Sequence, residues 1–338
     1  MRVNIFNSNG REWKRHRRIA NPGYHRSWST VAFDELFSKI IKQIEENRLS
    51  VNVTDFMPRM ALDAPGKVIF DCEFKATENQ HGSFVDLYNE LLIGANKLLY
   101  SMFPILDSIP FIRREMLFEK VALFDRFIYG LIEEKAENLC SKHVDQETAE
   151  MGTLMLQASE EEKLYLTSEE IRNDVVEFLL ASHDTTANAL SVAIYYLGDE
   201  CKDICPSFEQ QQNDMPFIIT VIRESMRLCP PVAVLPPRRT ARTLRFREYV
   251  IPTSTNTRIH LYGLHHNPNV WKNPYKFDPE RFLYNKSCDL FSWSPFVGGV
   301  RRCISMTFLM IEQRVVLSML LRKFIWRFPD DSIHRTKL

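Results

Sequence analysis

The sequence has no run of about eighteen apolar residues, so it offers no helix able to cross a bilayer. It also has no net charge, because 43 Lys and Arg balance 43 Asp and Glu. A nucleic-acid scaffold would need a basic excess, so that class is set aside. Its seven cysteines are an odd number. They follow neither the spacing of a disulfide framework nor that of a zinc site. Cys201 and Cys205, four apart, read as free thiols. No internal repeat and no low-complexity linker interrupts the chain. What is present is a core-forming composition: 338 residues, 45% hydrophobic and 25% charged. That is ample for a sizeable core and suggests a soluble intracellular globule. Length alone suggests two domains.

The periodicity is mostly helical. Pro22-Gly23 reads as a break after a basic helix. Phe33, Leu36, Phe37, Ile40, Ile41 and Ile44 make a helical stripe. Another helix starts at Thr54-Asp55, with Pro65 awkward in its interior. Phe84 to Leu106 is apolar and broken by Pro104, and Phe111 to Cys140 reads as one long helix. Tyr249-Val-Ile251 and Arg258-Ile-His-Leu261 alternate and read as strands.

Four segments carry chemistry. In the first, Phe296-Val-Gly-Gly-Val-Arg-Arg-Cys-Ile-Ser305, one cysteine follows a glycine-containing turn. It precedes an apolar helix read from Ile304 to about Leu321. Gly298 and Gly299 permit backbone angles that a Cβ penalises. A helix N-terminus and free turn N–H groups favour a thiolate at Cys303. Alone, Cys303 reads equally as a metal ligand or a small buried apolar residue.

In the second, Glu224-Ser-Met-Arg227 places two charges on one face of a helix read from Pro216 to Leu228. Phe277-Asp-Pro-Glu-Arg281-Phe282 follows. A solvated ion pair is the alternative reading of the first tetrapeptide. The third is a helix from the capping box Thr167-Ser-Glu-Glu170 to about Leu197, with no interior Gly or Pro. Its middle is Ala181-Ser-His-Asp184-Thr185-Thr186. A buried acid and alcohol in an apolar helix need partners. The alternative is a kink, with Thr185 bonded back one turn. In the fourth, Arg11-Glu-Trp13-Lys-Arg-His-Arg17-Arg18 sets Trp13 and Arg17 on one helical face. A solvated basic face is the alternative. His265-His266-Asn-Pro268 with Trp271 reads as a structural turn rather than a metal site.

Together these segments resemble the cytochrome P450 family, the haem-thiolate monooxygenases. Phe296, Gly299, Arg301 and Cys303 stand where an F-x-x-G-x-R-x-C-x-G signature needs them. Ser305 replaces its last glycine, and Ser182 replaces the glycine of the oxygen-binding stretch. The resemblance runs from Arg11 to about Phe328. It implies a mainly α fold with a small β lobe, in a single, partial domain over residues 1–338. Relative to the family, that fold is expected to be incomplete at the N-terminus, between the oxygen helix and the E-x-x-R helix, and at the C-terminus.

The resemblance also implies roles. Haem b is the cofactor, with the Cys303 thiolate as axial ligand and Phe296 shielding the sulfur. Trp13, Arg17, Arg238 and Arg301 hold propionates. Asp184 and Thr185 deliver protons to the reacting oxygen. Glu224, Arg227 and Arg281 form a buried structural triad. Lys14, Arg15, Arg18 and Arg302 are a candidate dock for an acidic reductase. The expected partners are NADPH-cytochrome P450 reductase, cytochrome b5 as a second candidate donor, and a small apolar organic substrate. No nucleic acid and no homo-oligomer are implied. The expected location is the cytoplasmic side of the endoplasmic reticulum membrane, although no anchor helix is present in this chain. The alternative function is a truncated haem-binding or apo remnant without turnover. A peroxide-using or isomerising haem enzyme ranks third, because it would need no Asp-Thr relay.

Overall fold

The computed structural model describes residues 3–24, 30–46, 50–70, 72–78, 83–95, 109, 115–141, 153, 155, 166–199, 215–283 and 291–329. The expectations placed on Pro104, Cys201 and Cys205 lie outside these residues. The chain divides into two compact units, Met1–His183 and Asp184–Leu338.

The first unit is helical. It holds α1 (Gly10–Tyr24), α2 (Thr30–Glu46), α3 (Val53–Phe70), α4 (Ser83–Ala95), α5 (Glu115–Ser141) and the first half of α6 (Ser168–Asp199). In α1, Trp13, His16, Ile19, Ala20, Gly23 and Tyr24 recur at helical spacing and are buried. That apolar face carries the helix through Pro22-Gly23, where the sequence suggests a break. Pro22 removes one N–H near the helix end, and the burial of Ile19, Ala20 and Tyr24 outweighs it. Helix α3 likewise runs through Pro58 and Pro65. The stripe on α2 buries Phe37, Ile40 and Ile41, and α2 packs on α3. Helices α4 and α5 pack together around rings of Phe84, Tyr88, Phe124 and Phe127. An Arg172–Asp125 ion pair ties α6 to α5.

Helix α6 begins as its capping box directs. Glu170 N donates to Thr167 Oγ1 at 3.2 Å, and Thr167 N donates to Glu170 Oε2 at 2.8 Å. It continues for 32 residues, roughly 48 Å at the usual rise.

The second unit holds the rest of α6, then α7 (Met215–Leu228), four short strands, α8 (Leu261–His265), two 3-10 turns (Pro279–Phe282 and Gly299–Arg301) and α9 (Met306–Lys323). Strand β1 (Arg238–Arg239) pairs antiparallel with β4 (Asn256–Thr257). Strand β2 (Leu244–Phe246) pairs antiparallel with β3 (Tyr249–Ile251) in a tight hairpin. The strand expected over Arg258–Leu261 does not form. Only His260 bridges, to Val234, and its Nδ1 then accepts from Gly263 N at 2.9 Å and caps α8. Local capping takes these residues out of the sheet. Helix α7 is the hub of this unit, touching α8, the Pro279–Phe282 turn and α9. Trp326 Nε1 donates to Ile194 O at 3.0 Å and fastens the segment after α9 to α6. The described architecture is mainly helical with small sheets, as expected.

Candidate functional site

The cysteine segment is a closed loop. Val297 N donates to Ser294 O at 3.0 Å, Arg302 N to Gly299 O at 3.1 Å, and Cys303 N to Phe296 O at 3.0 Å. Two residues in it are left-handed, Gly299 at φ 72° and Val297 at φ 64°. Glycine adopts that region freely, whereas a β-branched residue there costs about 1–3 kcal/mol. Gly298 is extended, at φ −122°. Its value is room: a Cβ there would meet the Phe291 ring at 3.2 Å.

The Cys303 thiol is half-buried, and its Sγ lies 3.3 Å from Ser305 Oγ. Helix α9 starts at Met306, two residues later than the pattern suggests, with Ser305 at its N-cap position. Phe296 is buried against Trp293, with ring centroids 6.3 Å apart. Arg301 is half-buried, and Arg302 is exposed.

Two bonds fix the stem of the loop to the helices beneath it. Trp293 Nε1 donates to Arg223 O on α7 at 3.0 Å. Ser294 N donates to His265 Nε2 at 3.1 Å. The second bond requires an unprotonated Nε2. Burial, then the charge of Arg227, push the His265 imidazole down to about 4. His265 is thus a neutral acceptor at neutral pH. His266 Nδ1 donates to Tyr262 O at 2.8 Å. The His265-His266 pair therefore closes α8, His265 as its last residue and His266 as its C-cap, where the sequence suggests a turn.

Glu224, Arg227 and Arg281 are brought together. Arg227 reaches Glu224 with two parallel bonds, Nε to Oε2 at 2.8 Å and Nη2 to Oε1 at 2.9 Å. Arg281 Nε donates to Glu224 Oε1 at 3.2 Å, and Asp278 N to the same oxygen at 2.9 Å. Glu224 and Arg227 are fully buried. The rest of the Arg227 fork is used as well. Nη1 donates to His265 O and Pro274 O at 2.8 and 2.7 Å, and Nη2 to Lys276 O at 3.2 Å. Its guanidinium carbon lies 5.1 Å from the centroid of the Trp271 ring. A solvated ion pair is excluded. The carbonyl partners and the His265 acceptor are not visible in the E-x-x-R pattern. The nearby His-His-Asn-Pro turn is the signal that a reader of the sequence has for them.

On α6, Asp184 is exposed and Thr185 half-buried, where the sequence suggests a buried pair. Leu179, Ser182, Ala187 and Leu190 take the buried faces. Ala181, Asp184, Thr185 and Asn188 are left on the remaining stripe, at helical spacing. Ser182 Oγ donates back to Phe178 O at 2.6 Å. The position where the family has glycine thus carries a hydroxyl bonded back one turn.

Trp13 and Arg17 lie on α1 in the first unit, Trp13 buried and Arg17 half-buried. Arg238 is exposed on β1.

A cysteine loop ahead of a long helix, in a predominantly helical fold with small sheets, is an arrangement that the haem-thiolate class uses. The sequence model of the cytochrome P450 family matches residues 1–337. The chain is 28% identical to cytochrome P450 4F5 of Rattus norvegicus, over 98% of this chain and 70% of that protein. It is 27% identical to leukotriene-B4 omega-hydroxylase 3 of Mus musculus, over 96% of this chain and 68% of that protein. Its fold is similar to the crystal structure of a cytochrome P450, CYP102L1, with a TM-score of 0.77 and 20% identity, covering 97% of this chain and 79% of the other. The chain belongs to the cytochrome P450 family. That family is one of monooxygenases, and its fold carries protoporphyrin IX haem on a cysteine thiolate.

The donor chemistry at Cys303 fits that group. Among the described residues no set of three His, Cys, Asp or Glu side chains gathers around its sulfur, as a structural zinc site would need. One polarisable sulfur on a fixed loop is what an axial ligand requires.

Proposed function

We propose that this chain is a haem-thiolate monooxygenase with Cys303 as the axial ligand. It inserts one atom of dioxygen into a small apolar organic substrate. The observation that carries this reading is the half-buried Cys303 sulfur at the end of a closed loop containing a left-handed valine. Backbone strain held by a surrounding hydrogen-bond network is characteristic of functional sites. The similarity to a leukotriene-B4 omega-hydroxylase supports a substrate with an apolar chain.

Haem bound at Cys303 supplies the oxygen chemistry. The chain supplies everything around it. Cys303 Sγ would bind as thiolate, and Ser305 Oγ, 3.3 Å away, would then be the donor to it. Phe296, buried at the start of the loop, would keep water from the sulfur side. Trp13, Arg17, Arg238 and Arg301 are the proposed holders of the propionate carboxylates, arginine being suited to paired contacts. Asp184 and Thr185 are the proposed proton carriers, on the open stripe of α6. Glu224, Arg227 and Arg281 hold the segments on which the loop rests. Electrons come from an NADPH-dependent reductase at the cytoplasmic face of the endoplasmic reticulum. Lys14, Arg18 and Arg302 are exposed and able to meet an acidic partner.

The test is spectroscopic. The chain is expressed with haem supplied, reduced, and exposed to carbon monoxide. A thiolate-type Soret band is expected, and Cys303→Ala should abolish it while leaving the helical circular dichroism unchanged. Failure to take up haem overturns the reading and leaves a haem-free remnant in its place.

A further inference from the structure

Glu12 and His16 lie four residues apart on α1 and share a face. Glu170, in the first turn of α6, meets them within the same unit. One ligand atom from each of the three lies within 4.8 Å of the others. His16 is fully buried, and its Nε2 has no hydrogen-bond partner. That nitrogen stands 3.8 Å from Glu170 Oε1.

The other ring nitrogen is already committed. His16 Nδ1 lies 2.6 Å from Asp174 Oδ2. Asp174 is itself buried and accepts Ile5 N at 2.7 Å on its second oxygen. The Asp174 carboxylate accepts the ring N–H at Nδ1, which leaves the Nε2 lone pair facing the two glutamates. Carboxylates orient metal-bound histidines in this way. Glu170 is held as well, by Thr167 N at 2.8 Å. Burial pushes its carboxyl up, but bonds from Thr167 and Arg15 outweigh that and keep it below its ordinary value. A positive group already stands between the acids. Arg15 Nη2 donates to Glu12 Oε2 at 2.7 Å and also to Glu170 Oε1.

We propose that Glu12, His16 and Glu170 form a binding site for a divalent first-row transition ion such as zinc, which enters by exchange with the Arg15 guanidinium. One imidazole and two carboxylates suit zinc better than magnesium or calcium, which prefer all-oxygen shells. Tetrahedral ligands about 2.1 Å from zinc stand roughly 3.4 Å apart. The donors, now within 4.8 Å of one another, must therefore close by up to about 1.4 Å, and the Glu12 side chain, 57% exposed, is free to move that far. The ion ties α1 to the start of α6, on the helix that carries Trp13 and Arg17.

Titration of the full chain with zinc in a calorimeter, followed by metal analysis after desalting, tests the site. One zinc per chain is expected. Glu12→Gln should weaken binding at least about tenfold. Arg15→Gln, which removes the competing cation, should tighten it several-fold. Glu12 is exposed, so its variant should keep the native melting temperature; Arg15 is partly buried, with a side chain 24% exposed, and native circular dichroism identifies its folded variant. Zinc held at a cysteine would respond to neither change. No zinc retention, or retention that neither substitution alters, overturns the proposal.

Discussion

At the cysteine, a hydroxyl stands where the family signature has glycine. Ser305 Oγ lies 3.3 Å from Cys303 Sγ, close enough for a hydrogen bond to sulfur. A donor to an axial thiolate draws charge from it and raises the potential of the metal it binds. Ser305→Gly should therefore lower the reduction potential of the haem-loaded protein, read by spectroelectrochemical titration. An unchanged or higher potential would show that the hydroxyl does not donate to the thiolate. The triad makes a second case at this scale. Arg227, itself fully buried, offers its fork to Glu224 and to three backbone carbonyls. Arg227→Met keeps the volume but leaves a buried carboxylate short of its main partner. Breaking a buried pair from one side costs about 3–5 kcal/mol. Urea unfolding of the variant should show a loss of that size, and a loss under about 1 kcal/mol would mean that Arg281 and Asp278 N alone satisfy Glu224.

Helix α9 carries a residue whose setting the helix dictates. Glu312 is fully buried, and neither carboxylate oxygen has a hydrogen-bond partner. Burial alone pushes its carboxyl up to about 8. Between its ordinary 4.5 and about 8 the folded chain holds a proton that the unfolded chain has released. Stability therefore falls as pH rises through that window, by at most roughly 1.4 kcal/mol per unit. Glu312→Gln removes the slope. The variant should match the parent near the acid end and exceed it increasingly toward pH 8, measured as chemical-denaturation midpoints across the range. A parallel pH dependence in both proteins would locate the slope elsewhere. Nothing in the sequence marks Glu312, because a single acid on a helix with a broad apolar face reads as solvated. The same helix was legible in its extent, since its apolar spacing is local information. The strand expected over Arg258–Leu261 was not, because His260 capping decides between sheet and helix through one side-chain bond. Helix α1 passed Pro22 for the opposite reason, since the face that it buries lies beyond the reach of local rules. Asp184 shows a third kind of gap. The motif fixes which residues stand on α6, but packing chooses which stripe is left open.

Over the whole molecule, charge and exposed apolar surface act together. The chain carries no net charge at pH 7 and has an isoelectric point near 7.1. Proteins at their isoelectric point lack the mutual repulsion that keeps them apart. The β2–β3 hairpin presents Leu244, Phe246, Tyr249 and Val250 to solvent, with Phe246 65% exposed. The sequence showed the charge balance directly and the alternation of this hairpin in part, but not that both of its faces are open. Two short strands with apolar side chains, paired only with each other among the described residues, are a template for association. Light scattering should therefore peak near pH 7 and fall about two units to either side. Phe246→Ser should lower the peak while leaving the melting temperature unchanged, because so exposed a ring contributes little to the core. Scattering that follows pH but ignores Phe246→Ser would assign the association to charge alone, acting through some other surface.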